Sequence, residues 1–166
     1  RINSKSNTFK PKNTMISSAK SYSNWGNPNN WNWKGINYHW RVLGDENKKS
    51  ILLLHGFGAS CDHWRNNANF FANAGFCVYG LDLIGFGKSE QPSKKKIKLL
   101  NNKIWSEQVA NFLKEVVQRN HKEKTILVGN SLGALTAITT SAFYPNLISA
   151  VIAAPLPDPA LMKSSS

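Results

Sequence analysis

The pentapeptide Gly129-Asn130-Ser131-Leu132-Gly133 joins an apolar run, Thr125-Ile126-Leu127-Val128, to a helix-forming one, Ala134-Leu135-Thr136-Ala137-Ile138. A strand that turns at once into a helix needs a sharp bend. That bend lifts the serine Oγ off the sheet edge and aims the next N–H groups at whatever the oxygen attacks. Glycines are required on both sides because the turn is crowded and a Cβ would clash. The bland alternative, an ordinary Gly-Ser turn, demands neither the strand before nor the helix after.

The rest of the chain supplies a fold for such a bend. Ile51-Leu52-Leu53-Leu54 is a short continuous apolar run, which reads as a strand buried on both faces, and it leads into His55-Gly56-Phe57-Gly58-Ala59-Ser60. Trp64, Ala68, Phe71 and Ala72 recur at helical spacing, with Gly75 placed to end the helix. The strand from Phe76 to Leu81 leads into Asp82-Leu83-Ile84-Gly85-Phe86-Gly87-Lys88-Ser89. Trp105, Val109, Phe112, Leu113, Val116 and Val117 mark one apolar face of a second helix. The Thr125 strand follows, then a helix from Ser131 to near Tyr144-Pro145-Asn146, then a strand from Ile148 to Ala154.

Upstream, Trp31 to Val42 alternates apolar with polar residues around Lys34-Gly35, a β-hairpin signal, and Gly44-Asp45-Glu46-Asn47 turns the chain into the Ile51 strand. The tryptophans read as hairpin packing, with sugar stacking the lesser reading. Strands alternating with helices predict an α/β fold, a doubly wound and mostly parallel sheet with right-handed crossovers. Ligands of such sheets bind at the carboxyl ends of the strands, where both the Ser131 and the His55 segments lie.

A chain of 166 residues suffices for one domain with a core, and it has no apolar stretch long enough to cross a bilayer. Its two cysteines, Cys61 and Cys77, fit small buried hydrophobes of a reducing compartment, which points to the cytoplasm. No Cys/His grouping has metal-ligand spacing along the sequence. The net charge of +12 raises a nucleic-acid reading. The lysines are scattered, however, apart from Ser93-Lys94-Lys95-Lys96-Ile97-Lys98, and no aromatic residues interleave there to stack bases. That run reads as a solvated loop, and no nucleic-acid partner is expected. Peripheral contact with anionic lipid headgroups stays open.

Residues 1–30 are rich in Ser, Asn and Lys, and no acidic residue precedes Asp45. They read as a disordered basic tail. The same composition resembles an organelle transit peptide, which would place the protein in the plastid stroma, although arginine is scarce. The numbering begins at Arg1, and Met15 is a candidate initiator.

From about Gly35 to Met162 the chain resembles the first half of an α/β-hydrolase, on the strength of His55-Gly56-Phe57-Gly58, the segment Asp82 to Ser89, and Gly129 to Gly133. More narrowly, Asn130 and the stretch Ile104-Trp105-Ser106-Glu107-Gln108-Val109 resemble the pheophytinase and chlorophyll dephytylase branch, whose members cleave the phytyl ester of a chlorophyll-type pigment. The resemblance implies roles. Ser131 is the nucleophile, and the backbone N–H groups of Phe57 and Leu132 form the oxyanion hole, where one donor is worth about 3 kcal/mol of barrier. His55, at a strand end, orients its loop rather than moving protons. Asp82 holds its loop through nearby amides. Ser131 argues against relatives with an aspartate nucleophile, such as dehalogenases and epoxide hydrolases. Cofactor-free oxygenases and haloperoxidases share the serine triad. No metal and no organic cofactor is implied.

The family triad runs Ser, Asp or Glu, then His along the chain. Asp158, in Pro155-Leu156-Pro157-Asp158-Pro159, is a candidate acid, with a proline-fixed loop residue opening a lid as the alternative. No histidine follows His121, and His121 sits in a polar loop before the nucleophile strand. The expectation is that residues 31–166 are the N-terminal part of an α/β-hydrolase domain, truncated before the lid and the last strands. The parent would be a serine ester hydrolase, with this fragment inactive alone. The apolar tail from Pro155 to Met162 suggests a hydrophobic ester as substrate. The alternatives are a catalytically dead fragment or a basic module that binds an anionic partner.

Overall fold

The computed structural model describes residues 24–93, 95, 100–120 and 123–155. Its strands are β1 (Asn27–Trp33), β2 (Ile36–Leu43), β3 (Ser50–Leu54), β4 (Cys77–Leu81), β5 (Thr125–Gly129) and β6 (Ile148–Ala153). Its helices are α1 (Arg65–Asn73), α2 (Asn102–Phe112) and α3 (Leu132–Phe143). The strands form one sheet in the order β1-β2-β4-β3-β5-β6. The β1–β2 and β2–β4 pairs are antiparallel, and β4, β3, β5 and β6 run parallel. This is the mostly parallel sheet expected from the alternation of strands and helices.

The centre of the sheet is buried on both faces, which is why β3 reads as an unbroken apolar run. Leu52 and Leu54 face a core with Phe112 of α2 and Leu132 and Ala137 of α3, while Ile51 and Leu53 face a second core with Ala68 and Ala72 of α1. The period-two alternation of a strand sends successive side chains to opposite faces. Helices on both faces follow: α1 covers one, and α2 with α3 covers the other. Gly75, with φ +94°, ends α1 as the sequence predicts.

Lys34 and Gly35 both adopt positive φ, 52° and 68°, the primed turn whose twist suits a two-residue hairpin. The hairpin corrects one expectation. The boundary of a disordered tail falls at residue 30 on composition, but β1 begins at Asn27 and pairs with β2 from Asn27↔Val42 to Trp33↔Ile36. Trp25 is buried as well, and its Nε1 donates to the Cys61 carbonyl at 3.0 Å. The asparagines of β1 misled because an outer strand can present one face to water while its backbone is fully paired. Residues 1–23 lie outside the described residues.

The second helix also differs from its apolar spacing. It is α-helical only to Phe112, and Leu113–Val117 form a π turn. The wider turn keeps Leu113 and Val117 buried against the core. Among the described residues, β6 pairs only with β5, and Ile152 on it is half exposed. No described helix is long and apolar enough to cross a membrane.

Candidate active site

Ser131 sits between the last residue of β5 and the first of α3, with φ 54° and ψ −116°. A side-chain-bearing residue in this region is strained by about 1–3 kcal/mol and persists only where its surroundings hold it. Here they do. The Asn130 N–H donates to the Leu54 carbonyl at 3.1 Å, and the Ser131 N–H donates to the Pro155 carbonyl at 3.0 Å. The Gly133 and Leu135 N–H groups donate to the carbonyls of Asn130 (2.9 Å) and Ser131 (3.1 Å). Both motif glycines are sterically required. A Cβ on Gly133 would lie 2.1 Å from the Leu54 carbonyl oxygen, and one on Gly129 would lie 2.3 Å from the Gly133 oxygen.

The segment after β3 passes directly beside this bend. A Cβ on Gly56 would stand 3.3 Å from Ser131 Cβ and 3.9 Å from Ser131 Oγ. Gly56 then turns through Phe57 and Gly58, closed by the Ala59 N–H on the Gly56 carbonyl at 3.2 Å. Phe57 and Leu132 are each one residue beyond these neighbours. Leu132 is the first residue of α3, so its N–H has no intrahelical acceptor. The Phe57 ring is 78% exposed and stands edge-on to Phe86 at 5.1 Å, and Phe86 leans on Trp105 at 6.3 Å. Phe57, Phe86 and Trp105 thus form an aromatic wall that starts one residue beyond Gly56, the neighbour of Ser131.

His55 is fully buried behind that wall. Its Nε2 accepts the Leu83 N–H at 3.0 Å, so the proton of the neutral ring is on Nδ1, which donates to the Gly56 carbonyl at 2.8 Å. Burial pushes the imidazole below its ordinary value, against the opposing pull of the Gly56 carbonyl and the Asp82 charge. His55 is thus an orienting residue, as its position at a strand end suggests.

Asp82, also fully buried, ties the loop after β4 to the segment after β3. Its Oδ1 accepts the Cys61 N–H at 2.6 Å, and its Oδ2 accepts the Lys88 N–H at 2.8 Å and lies 3.1 Å from His39 Nδ1. Gly87 is obligatory here, because a Cβ would fall 2.2 Å from that carboxylate. Burial and the adjacent carboxylate push the Cys61 thiol up. Sequence spacing pointed to no cluster of metal-binding residues, yet the fold gathers ligand atoms of His39, Cys61 and Asp82 within 4.8 Å of one another. The Asp82 oxygens are already engaged by backbone donors, and the group reads as a hydrogen-bonded knot that fixes two loops. Cys77 is buried and free, as is Cys61.

Sequence reasoning missed one residue at the site. His63, in the 3-10 turn Cys61–Trp64, brings its Nε2 to 3.5 Å from Nδ2 of Asn130, the residue preceding Ser131. The two are 67 positions apart, and no local pattern marks their meeting. Among the described residues no carboxylate or imidazole bonds the Ser131 hydroxyl. Asp158, His121 and most of the lysine run at 94–98 lie outside the described residues.

A strained serine on a strand-to-helix bend, an amide-bearing loop beside it and a parallel sheet beneath define a class, and comparison with known proteins agrees. The family model described as alpha/beta hydrolase fold matches residues 49–162, and the chain belongs to that family. It is 28% identical over 127 residues to epoxide hydrolase 4 of Mus musculus, covering 76% of this chain and 33% of that protein. It is 32% identical over 108 residues to a 2-hydroxy-6-oxononadienedioate/2-hydroxy-6-oxononatrienedioate hydrolase of Paraburkholderia phymatum, covering 63% of this chain and 35% of that protein. Among solved structures, a membrane phospholipase A described as a bacterial virulence factor superposes with a TM-score of 0.68 at 27% identity, over 76% of this chain and 38% of that one. The chain thus spans about a third of the length of the curated relatives it matches.

Proposed function

We propose that the protein is a serine-dependent carboxylic ester hydrolase acting on a hydrophobic ester, with Ser131 as nucleophile. The observation that carries this reading is the backbone of Ser131, held at φ 54° beside Gly56. Nothing in folding requires a serine at a strained position that glycine would adopt freely, whereas a nucleophile needs that exposure. Ser131 Oγ attacks the ester carbonyl carbon, and the carbonyl oxygen takes up the negative charge. The N–H groups of Phe57 and Leu132 hold that oxygen. The alcohol departs as the carbonyl reforms, leaving an acyl-serine that water then releases. A histidine outside the described residues takes the serine proton and delivers it to the leaving alcohol, with a carboxylate, for which Asp158 is the candidate, orienting it.

The Phe57–Phe86–Trp105 wall supports an apolar substrate portion. The likeness to a phospholipase supports a lipidic ester, and the likeness of residues 104–109 to pheophytinases supports an isoprenoid one. Epoxide hydrolases use an aspartate where this chain has Ser131, which argues against epoxide opening.

A fluorophosphonate probe on the full-length protein tests the reading. Wild type is expected to label, and Ser131→Ala is expected to lose the label. Equal labelling of the two would overturn Ser131 as the nucleophile, whereas no labelling of wild type together with salt-dependent retention on heparin would replace the hydrolase reading with that of a basic binding module.

A further inference from the structure

We propose that Gln108, buried on α2, is a positioning residue for the oxyanion hole: through the loop after β4 and His55 it sets the direction of the Phe57 N–H. The inference rests on the assignment of Ser131 as nucleophile and Phe57 as an oxyanion donor, and adds the residue that aims that donor.

A glutamine is out of place where Gln108 stands. It lies one helical turn from Trp105 and from Phe112 on the core face of α2, and none of it reaches solvent. A buried amide is costly unless both its ends are bonded. Here both are. Oε1 accepts the Ile84 N–H at 3.0 Å, and Nε2 donates to the Asp82 carbonyl at 3.2 Å. Trp105 adds its Nε1 on the Ile84 carbonyl at 3.0 Å, so one face of α2 grips the backbone on either side of Leu83.

The grip passes to the site through two planar peptides. The Asp82 carbonyl and the Leu83 N–H belong to one trans peptide, so fixing the first directs the second the opposite way. Gln108, with Ser89 Oγ at 2.9 Å, holds the carbonyl, and the Leu83 N–H points at His55 Nε2, 3.0 Å away. His55 repeats the device. Its Nδ1 donates to the Gly56 carbonyl at 2.8 Å, and the Ala59 N–H reaches the same oxygen at 3.2 Å. The Phe57 N–H is the other end of that peptide and is turned away from both donors. No described carbonyl accepts it, and it stands one residue from the glycine that borders Ser131.

Direction decides what such a donor does. A hydrogen bond weakens steeply once its angle falls below about 120°. A tilted Gly56–Phe57 peptide therefore slows the step that builds negative charge on the substrate oxygen and leaves binding of the uncharged ground state alone. Without the Gln108 amide, the Ile84 N–H is left unbonded at a fully buried residue, and the loop must turn to find it a partner. His55 turns with the loop, and the Phe57 N–H turns with His55.

The test is the rate at which an alkyl fluorophosphonate labels the full-length protein. Gln108→Met keeps the size of the side chain and loses both bonds. Its maximal labelling rate is expected to fall about tenfold at an unchanged half-saturating probe concentration, because the donor acts on the transition state. An unchanged rate in the folded variant overturns the proposal, and so does a fall that comes entirely from weaker probe binding. If the methionine variant does not fold, Gln108→Asn, a methylene too short to span both peptides, replaces it with the same two outcomes. Backbone amide resonances separate a turned peptide from a loosened protein. The Phe57 resonance is expected to move in the variant while that of Leu132, held by α3, stays. A Phe57 resonance that does not move overturns the proposal. If wild type does not label, the Ser131 reading fails, and the Phe57 resonance still decides whether Gln108 sets that peptide.

Discussion

The Nε2 atom of His55 accepts the Leu83 N–H at 3.0 Å, so the residue that opens the loop beside Ser131 also holds the loop after β4. That bond exists only while the ring is neutral, because a protonated imidazole has no acceptor.

Stability should therefore depend on pH through His55. Burial holds its folded value below the ordinary 6.5. The unfolded chain takes up a proton first as the pH drops, so stability is full above about 6.5 and is lost as the pH falls from there through the folded value. Thermal melts across pH 5–8 check this. Wild type should lose stability on the acid side, and His55→Gln should start lower and show a flatter profile. A wild-type melting temperature level from pH 8 to pH 5 contradicts the assignment.

The strain at Ser131 predicts a trade between stability and chemistry. Ser131→Gly removes the penalty at φ 54° and should raise stability by about 1 kcal/mol while abolishing fluorophosphonate labelling. Denaturant unfolding of the two proteins gives the sign. A glycine variant less stable than wild type would mean that the bend is not strained.

Asp82 makes the opposite case. Asp82→Asn keeps the volume but places an amide NH2 against one of the donors now on the carboxylate, the Cys61 or the Lys88 N–H. The expected loss is about 3 kcal/mol, read as a lower urea midpoint at constant slope. A loss under about 0.5 kcal/mol, the range of ordinary surface changes, would show that the knot is dispensable.

Ile152 is 52% exposed on β6, and Leu135, Ile138 and Phe143 are exposed on α3. An edge strand with apolar residues around it is prone to pairing between chains. Ile152→Lys should lower light scattering on concentration of the 166-residue chain and leave its melting temperature within the error of a surface change. Unchanged scattering would place the association elsewhere.

What the sequence alone determined was local. The Ser131 bend is legible because strand, glycine, serine, glycine and helix stand in covalent order, and the crowding that demands both glycines arises in one turn. The strand runs are legible because alternation, or its absence in β3, reports which faces are buried. The hairpin turn is legible from Lys34-Gly35. Only the tertiary structure decided which distant residues meet. Trp25 is buried because its indole reaches Cys61, 36 positions away, although its neighbours are polar. The π turn at Leu113–Val117 follows from packing on the core rather than from spacing along α2. His39, Cys61 and Asp82 gather, and His63 finds Asn130, only because the sheet order places β2, β4, β3 and β5 side by side. Local sterics act within a few residues and leave a pattern in them. A contact made by closing a long loop depends on the whole arrangement of strands and leaves no mark on either partner alone.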